Sequence, residues 1–125
     1  MDATEIHDLP FVDAHTSVVA AAPDAVWQAI ADTVDHPLFH VVTAVPGKEL
    51  ALAGSHRFST YALVFRLEEA ATGHTRVRAE SRATFPGPAG RLYRLLVIGT
   101  RGHKVAVRRM LRTVRKRALQ GRGAV

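Results

Sequence analysis

One segment in the second half of the chain alternates strictly between two kinds of side chain. Every second residue from Thr75 to Phe85 is small or apolar, and the residues between them are four Arg or Glu and one Thr. A period of two places the two sets on opposite faces of a β-strand, so the pattern predicts one covered face and one face in solvent. Most of the covered side chains are small and cannot by themselves fill the gap of about 10 Å between packed layers. Either larger residues fill that gap or a cavity remains.

The first third of the chain predicts a strand followed by a helix. Residues 11–20 end in a β-branched run, and Pro23 and Asp24 are suited to the first turn of the next helix. That helix should end near Asp35, because the residue before Pro37 is disfavoured in the α region.

The segment from Pro37 to Phe85 is typical of antiparallel hairpins, because it is rich in β-branched and aromatic residues. Three pairs of turn residues divide it: Pro46-Gly47, Gly54-Ser55 and Thr72-Gly73. Its 49 residues leave room for four or five strands after the first. The strand before residue 75 offers larger side chains on alternate positions: Tyr61, Leu63, Phe65 and Leu67.

The chain ends in a long amphipathic helix. It follows a segment rich in Pro and Gly, for which we expect a short helix or an irregular turn. Thr100 is suited to cap the final helix, which should run to about Leu119. Gly121 and Gly123 should then end it. Its apolar residues recur at i, i+3, i+4, i+7 and i+11 and form a stripe that should face the sheet: Val107, Met110, Leu111, Val114 and Ala118.

Two stretches resemble the START-like superfamily, also called SRPBCC, whose fold is the helix grip. The first, VVAAAPDAVWQAIAD at residues 18–32, is similar to the superfamily's opening strand and its proline-led helix with a Val-Trp pair. The second, AESRATFPGPAGRLYRLLVIGTRGHKVAVRRMLRTV at residues 79–114, is similar to the end of a bacterial, polyketide cyclase-like branch. In that branch a strand leads through a Phe-Pro-Gly turn and a Gly-x-x-Tyr segment to a His-led helix. These motifs mark fold and packing rather than catalysis.

The resemblance implies an α+β, helix-grip fold with all of residues 1–125 in a single domain. A curved antiparallel sheet of about five or six strands would wrap on the long C-terminal helix, and an N-terminal helix would follow the first strand. The superfamily holds lipids, sterols, polyketides or plant hormones in an apolar cavity between sheet and helix. We therefore expect an apolar or amphipathic small molecule to bind there. Candidate lining residues are Trp27, Tyr61, Phe65, Ala79, Ser81, Tyr93, His103, Val107, Met110 and Leu111. Aromatic residues in a domain of this kind are more often plain core, and for Tyr61 and Tyr93, whose hydroxyls could bind a ligand, the two alternatives are about equal.

A small enzyme of the cyclase or dehydratase type is the alternative function, because some superfamily members are cyclases or aromatases. His103 would lie in the first turn of the final helix near Tyr93, where an imidazole can act as an acid or base near neutral pH. A structural hydrogen bond from His103 to residues 85–90 is the simpler interpretation. We find no evident acid–base pair of the kind a cyclase needs, so we favour binding without chemistry.

Charge is divided unevenly along the chain. All 11 acidic residues lie in residues 1–80, whereas residues 81–125 hold 12 of the 17 Lys and Arg residues. On the final helix one face carries four arginines, Arg101, Arg108, Arg112 and Arg115, so contact with phosphates is geometrically feasible. That face lacks aromatic or amide side chains to stack on bases or read them. A non-specific binder of nucleic acid or an anionic surface is therefore the least favoured of the three functions.

Other kinds of site are excluded or not expected. The chain has no cysteine, so it forms no disulfide and no thiolate metal site. His36 and His40 are four residues apart, but Pro37 prevents one helix from presenting both, so we expect no metal and no cofactor. The apolar runs are too short to span a membrane and the N-terminus is unlike a signal peptide, so we expect a cytoplasmic protein. A sheet smaller than usual would leave an edge on which a second copy could pair as a homodimer.

Overall fold

The computed structural model describes residues 2–35, 39–56, 59–85, 87–97 and 102–123. Within these ranges the strands are β1 (Phe11–Val19), β2 (His40–Val45), β3 (Glu49–His56), β4 (Ser59–Ala71) and β5 (His74–Thr84). The helices are α1 (Ala3–Asp8), α2 (Pro23–Thr33), α3 (Gly87–Val97) and α4 (Gly102–Gly123). The predicted α+β class is confirmed, with a helix after the first long strand and a long helix at the C-terminal end. None of the described helices is long and apolar enough to cross a membrane.

The five described strands form one curved antiparallel sheet in the order β1-β5-β4-β3-β2. Strands β2 to β5 pair with their neighbours in sequence, whereas β1 pairs with β5. The turns at Pro46-Gly47 and Thr72-Gly73 are confirmed. Gly47 and Gly73 adopt φ values of 76° and 74°, in the left-handed region that favours glycine.

The turn predicted at Gly54-Ser55 is wrong. Both residues lie within β3, where Gly54 is opposite Tyr61, and the strands are still paired at His56 and Ser59. Positions 57 and 58, between the paired ends of β3 and β4, lie outside the described residues. A glycine weakens a strand but does not end it when the ladder of hydrogen bonds on both sides continues.

The main core lies between the sheet and the helices α2 and α4, and we call the face of the sheet that they cover the inner face. Helix α2 begins at Pro23, as predicted, and buries Val26, Ala29 and Ile30. Residues from β1, β3, β4, β5, α2 and α4 form one buried cluster. The stripe on α4 belongs to it as predicted, since Val107, Leu111, Val114 and Ala118 are buried and Met110 packs against them partly exposed.

Helix α4 continues beyond the predicted end near Leu119 and reaches Gly123. Glycine costs only about 1 kcal/mol relative to alanine inside a helix, so Gly121 destabilises the last turn of α4 but does not end the helix. The segment after β5 forms the helix α3, in agreement with the expected short helix. The predicted cap residue Thr100 lies outside the described residues.

Helix α1, which the sequence pattern did not reveal, covers part of the opposite, outer face of the sheet. Asp2 caps it by accepting a hydrogen bond from the backbone N–H of Glu5 at 2.9 Å. Ile6 is buried against small and β-branched residues of the three strands β2, β3 and β4. The alternation in β5 had predicted that the outer face lies in solvent, but α1 covers part of it.

A carboxylate on this outer face is also buried. Glu80 of β5 is 4% exposed and accepts hydrogen bonds from Arg78 at 2.7 Å and from Arg82 at 2.9 Å, with Arg66 at 3.6 Å. Arg82 also donates to the carbonyl oxygens of His7 and Leu9 at the end of α1. The Glu80 cluster, by which we mean Glu80 with Arg66, Arg78 and Arg82, thus links the sheet to α1.

Burial raises the pKa of Glu80, but two other effects together outweigh it. The hydrogen bonds from Arg78 and Arg82 favour the charged carboxylate, as do the charges of Arg82 and Arg66. The pKa of Glu80 consequently lies below its ordinary value.

Candidate functional site

The inner face carries polar side chains where β1, β5 and β4 lie side by side. In the strand register Asp13 is opposite Ser81, which is opposite Leu63. One row further, His15 is opposite Ala79, which is opposite Phe65. Residues paired in this way point to the same face of the sheet. Because Ala79, Leu63 and Phe65 belong to the main core, Asp13, His15 and Ser81 also point toward the inner layer.

Ser81 is the exceptional residue of this surface. It is 5% exposed, and its Oγ has no hydrogen-bond partner among the described residues. Leaving a buried hydroxyl unsatisfied costs about 1–3 kcal/mol. Thr75, on the same face of β5, shows the usual solution, because its Oγ1 donates to the Ala21 carbonyl oxygen at 2.7 Å. The Ser81 hydroxyl therefore remains available to a polar group that enters the inner layer.

Beside Ser81, His15 and Asp13 form a pair that sequence reasoning missed. His15 Nε2 lies 3.2 Å from Asp13 Oδ2, and the two side chains are 16% and 15% exposed. A proton on Nε2 donated to Asp13 leaves Nδ1 as the basic nitrogen, which is the arrangement of an oriented general base. The signal was present in the sequence, since residues i and i+2 of a strand share one face.

Several predicted site residues share this inner layer. Phe65 and Ala79 are fully buried in the main core, as are Val107 and Leu111 of α4 to within a few per cent. Trp27 and Met110 pack against that core and are partly exposed. These residues are brought together, but they are packed as core.

The remaining three predicted residues are Tyr61, Tyr93 and His103. Tyr61 is half-buried, and its ring meets that of Phe39 edge to face at 5.6 Å between centroids. Tyr93 and His103 fall within the backbones of α3 and α4, but their side chains lie outside the described part of the structure.

An open cleft of about 330 Å³ lies between β1 and α4. His15, Thr16 and Ser17 line it from the strand, and Leu111 of α4 adds an apolar side chain to the lining. Arg108, Arg112 and Arg115 line it from the helix. We call this the β1–α4 cleft; it places three guanidinium groups beside the strand that carries the His15–Asp13 pair.

The structure brings together no metal site among the residues it describes. No group of three or more His, Asp or Glu side chains is arranged to hold an ion there. His40 begins β2, whereas His36 lies outside the described residues, so the distance between these two histidines is not described.

No protein-family model matches the chain, and no curated protein matches it in sequence. Solved structures do match it. The aromatase/cyclase ZhuI from Streptomyces sp. R1128 aligns with a TM-score of 0.66 at 14% identity, over 90% of this chain and 94% of that one. A conserved protein from Geobacillus kaustophilus aligns with a TM-score of 0.64 at 10% identity, over 86% of this chain and 94% of that one.

A larger protein shows the same likeness. The di-domain aromatase/cyclase StfQ from the steffimycin biosynthetic pathway aligns with a TM-score of 0.59 at 14% identity, over 97% of this chain and 55% of that one. At such identities the likeness concerns the path of the backbone and not the side chains of a site. The protein therefore has the helix-grip fold that it shares with these structures.

Proposed function

We propose that the protein binds an apolar or amphipathic small molecule between the inner face and α4, with a polar group of the ligand at the Ser81 hydroxyl. The observation that carries this proposal is the buried, unpartnered Oγ of Ser81. A ligand acceptor or donor at that position would remove the cost of the unsatisfied hydroxyl.

The surroundings of Ser81 define the rest of the ligand. Leu63 and Ala79 flank it on the sheet, and the apolar stripe of α4 covers the same layer. Contact with such side chains favours apolar surface at roughly 25 cal/mol per Å² removed from water. The structural neighbours that act as aromatase/cyclases make a polyketide-like molecule a reasonable ligand class.

Native mass spectrometry and solvent extraction of the purified protein test this proposal first, followed by titration with ANS and a fluorescent fatty acid. We expect a bound apolar molecule or saturable uptake. Ser81→Ala should weaken uptake of a ligand with a polar head by about 2- to 10-fold, because it removes one hydrogen bond. In the absence of ligand the same variant should be as stable as the wild type or more stable, since it removes an unsatisfied group.

Thr84→Ala is the matched control, because Thr84 lies on the same strand but on the outer face. It should leave uptake unchanged. A protein that carries no molecule and takes up no probe would contradict the proposal. So would a marked loss of stability in ligand-free Ser81→Ala, since that would mean that the hydroxyl already has a partner.

The His15–Asp13 pair favours a second candidate function, acid–base catalysis on the bound molecule. In the dehydration of a ligand that carries a hydroxyl group beta to a carbonyl, Nδ1 of His15 would take a proton from the carbon next to the carbonyl. The C–O bond at the neighbouring carbon would then break, and the leaving hydroxide would take that proton back and depart as water. Asp13 would hold the imidazole in the required tautomer.

Ser81 and His15 share the inner face but make no hydrogen bond to each other, so these residues do not form an activated serine nucleophile. The acid–base candidate is tested by incubating any extracted ligand with fresh protein and searching for loss of the mass of one water. His15→Asn and Asp13→Asn should abolish that conversion and retain binding. Conversion that survives both substitutions would rule out this pair and return attention to His103, which stays a prediction.

A further inference from the structure

We propose that the β1–α4 cleft is a second binding site, for a small molecule that carries two or more phosphate or carboxylate groups. The cleft lies at the edge strand β1 and shares His15 and Leu111 with the inner layer, but the proposal does not depend on the ligand inferred at Ser81. It rests on three observations: the spacing of the arginines, the second wall that β1 supplies, and the absence of acidic partners.

The spacing places three guanidinium groups in one row. Arg108, Arg112 and Arg115 are related as i, i+4 and i+7, so they lie on one face of α4. With a rise of 1.5 Å per residue, the row spans about 10 Å. A guanidinium group offers up to five N–H donors and matches carboxylate or phosphate oxygens in pairs. A row of this length suits several anionic groups rather than a single ion.

The strand β1 supplies the opposite wall of the cleft. His15 contributes an imidazole and Ser17 contributes a hydroxyl group, both of which can donate hydrogen bonds to anionic oxygens, whereas the side chain of Thr16 belongs to the outer face, opposite Arg78. β1 is an edge strand that pairs with β5 alone in the described sheet. An anion in the cleft would therefore meet donors on two sides, which a charged helix lying in open solvent would not provide.

The three arginines have no acidic partner in the part of the chain that the structure describes. By contrast, the four arginines of β4 and β5 are each paired: Arg66 with Glu49 and Glu80, Arg76 with Glu68, and Arg78 and Arg82 with Glu80. The cleft lining itself contains no Asp or Glu. Like charges at i and i+4 repel each other on a helix, and a bound anion relieves that repulsion.

The shape of the cleft distinguishes a small anion from nucleic acid. A duplex would need the arginine row to project from an open surface, whereas here β1 forms a second wall beside the row and the open cleft between them has a volume of about 330 Å³. Apart from the His15 imidazole, no aromatic ring and no amide side chain lines the cleft to stack on a base or read one. The arginines and the hydroxyl group that line the cleft are suited to binding phosphate or carboxylate oxygens.

Isothermal titration calorimetry with sodium tripolyphosphate, at about 0.15 M salt to screen weak surface attraction, tests the site. Arg112→Gln removes the central arginine and should weaken binding by about tenfold or more, as expected for a charge-assisted hydrogen bond. Arg109→Gln is the matched control, since it changes the net charge equally but Arg109 does not line the cleft. It should change the affinity less than about twofold.

Ser17→Ala provides an independent test, because it alters the opposite wall without changing the charge. It should weaken tripolyphosphate binding by about 2- to 10-fold. Citrate in place of tripolyphosphate distinguishes the two anion classes: similar affinity would indicate a general oligoanion site, and a clear preference would name the class. Circular dichroism and the melting temperature of each variant confirm that it is folded.

Three results would overturn the proposal. The first is no saturable binding of either anion. The second is an equal loss in Arg112→Gln and Arg109→Gln with no effect of Ser17→Ala, which would mean attraction to net charge only. The third is tighter binding of a short DNA duplex than of tripolyphosphate, with a steep dependence on salt, which would identify a nucleic-acid surface. None of these results bears on uptake of an apolar ligand at Ser81.

Discussion

Glu80→Gln should destabilise the protein far more than the removal of any exposed carboxylate on the same sheet. The Glu80 side chain is 6% exposed and faces three guanidinium groups, whose own side chains are 20–40% exposed. Each charge-assisted hydrogen bond contributes roughly 1.5–3 kcal/mol, but the half-exposed arginines can be rehydrated when the charge is lost. We therefore expect a net loss of about 2–3 kcal/mol in the free energy of unfolding.

Thermal and urea denaturation, followed by circular dichroism, measure this effect. For a domain of this size each kcal/mol lowers the melting temperature by about 3–5 °C, so the expected drop is about 6–15 °C. Glu68→Gln is the control: Glu68 pairs with Arg76, but their side chains are 66% and 45% exposed. Removal of such an exposed charge should cost less than about 1 kcal/mol.

The pH dependence of the free energy of unfolding provides a second test of the role of Glu80. The folded protein holds the pKa of Glu80 below its ordinary value of 4.5, so the unfolded chain takes up a proton at Glu80 before the folded protein does. The stabilisation is therefore present above the ordinary pKa and is lost as the pH falls toward the folded value. The gap in stability between wild type and Glu80→Gln should be widest above about pH 5.5 and narrow at lower pH. A gap that is equal for Glu68→Gln, or that widens on acidification, would refute the reasoning.

Two further substitutions test how α3 packs against the end of β5 and how β5 is held to Ala21. Gly90→Ala should lower the free energy of unfolding by about 1–3 kcal/mol, because an added Cβ would lie 2.6 Å from the carbonyl carbon of Phe85; an unchanged urea midpoint would show that this backbone can move aside. Thr75→Val, which keeps the shape but leaves the Ala21 carbonyl without its 2.7 Å hydrogen bond, should cost about 1–2 kcal/mol. Thr16→Val on the exposed face of β1 should change the same midpoint by less than about 0.5 kcal/mol, and an equal loss there would point to a general intolerance of valine.

The elements predicted correctly are those whose signal is local. The alternation in β5 and the glycines of two tight turns depend on the geometry of a few consecutive residues. The inner face of β5 and both turns agree with the structure, whereas the outer face carries the buried Glu80. The stripe on α4 likewise follows from the period of a single helix. Gly54 was misinterpreted for the complementary reason: its place within β3 depends on pairing with Tyr61, which a local glycine signal does not contain.

The candidate site depended on pairing between distant segments, and sequence reasoning reached only part of it. Ser81 was identified because its face of β5 could be inferred from alternation alone. The His15–Asp13 pair was missed because its place on the inner face follows from the pairing of β1 with β5, which are more than 60 residues apart at Asp13 and Ser81. The docking of α1 on the outer face has the same origin, although Asp2 followed by Glu5 is a recognisable capping signal.

The arginines of the sheet and those of α4 have different surroundings. On the sheet the arginines pair with acidic residues, and Glu80 contacts three of them, including Arg82, which also binds the end of α1. On α4 the described arginines of the cleft have no such partner, although the chain has 11 acidic residues. A protein that pairs its arginines on the sheet but leaves Arg108, Arg112 and Arg115 together beside a concave wall keeps positive charge where an external anion can reach it. The net charge of the whole molecule first suggested nucleic acid as a partner. The position of these three arginines beside β1 favours a small anion instead.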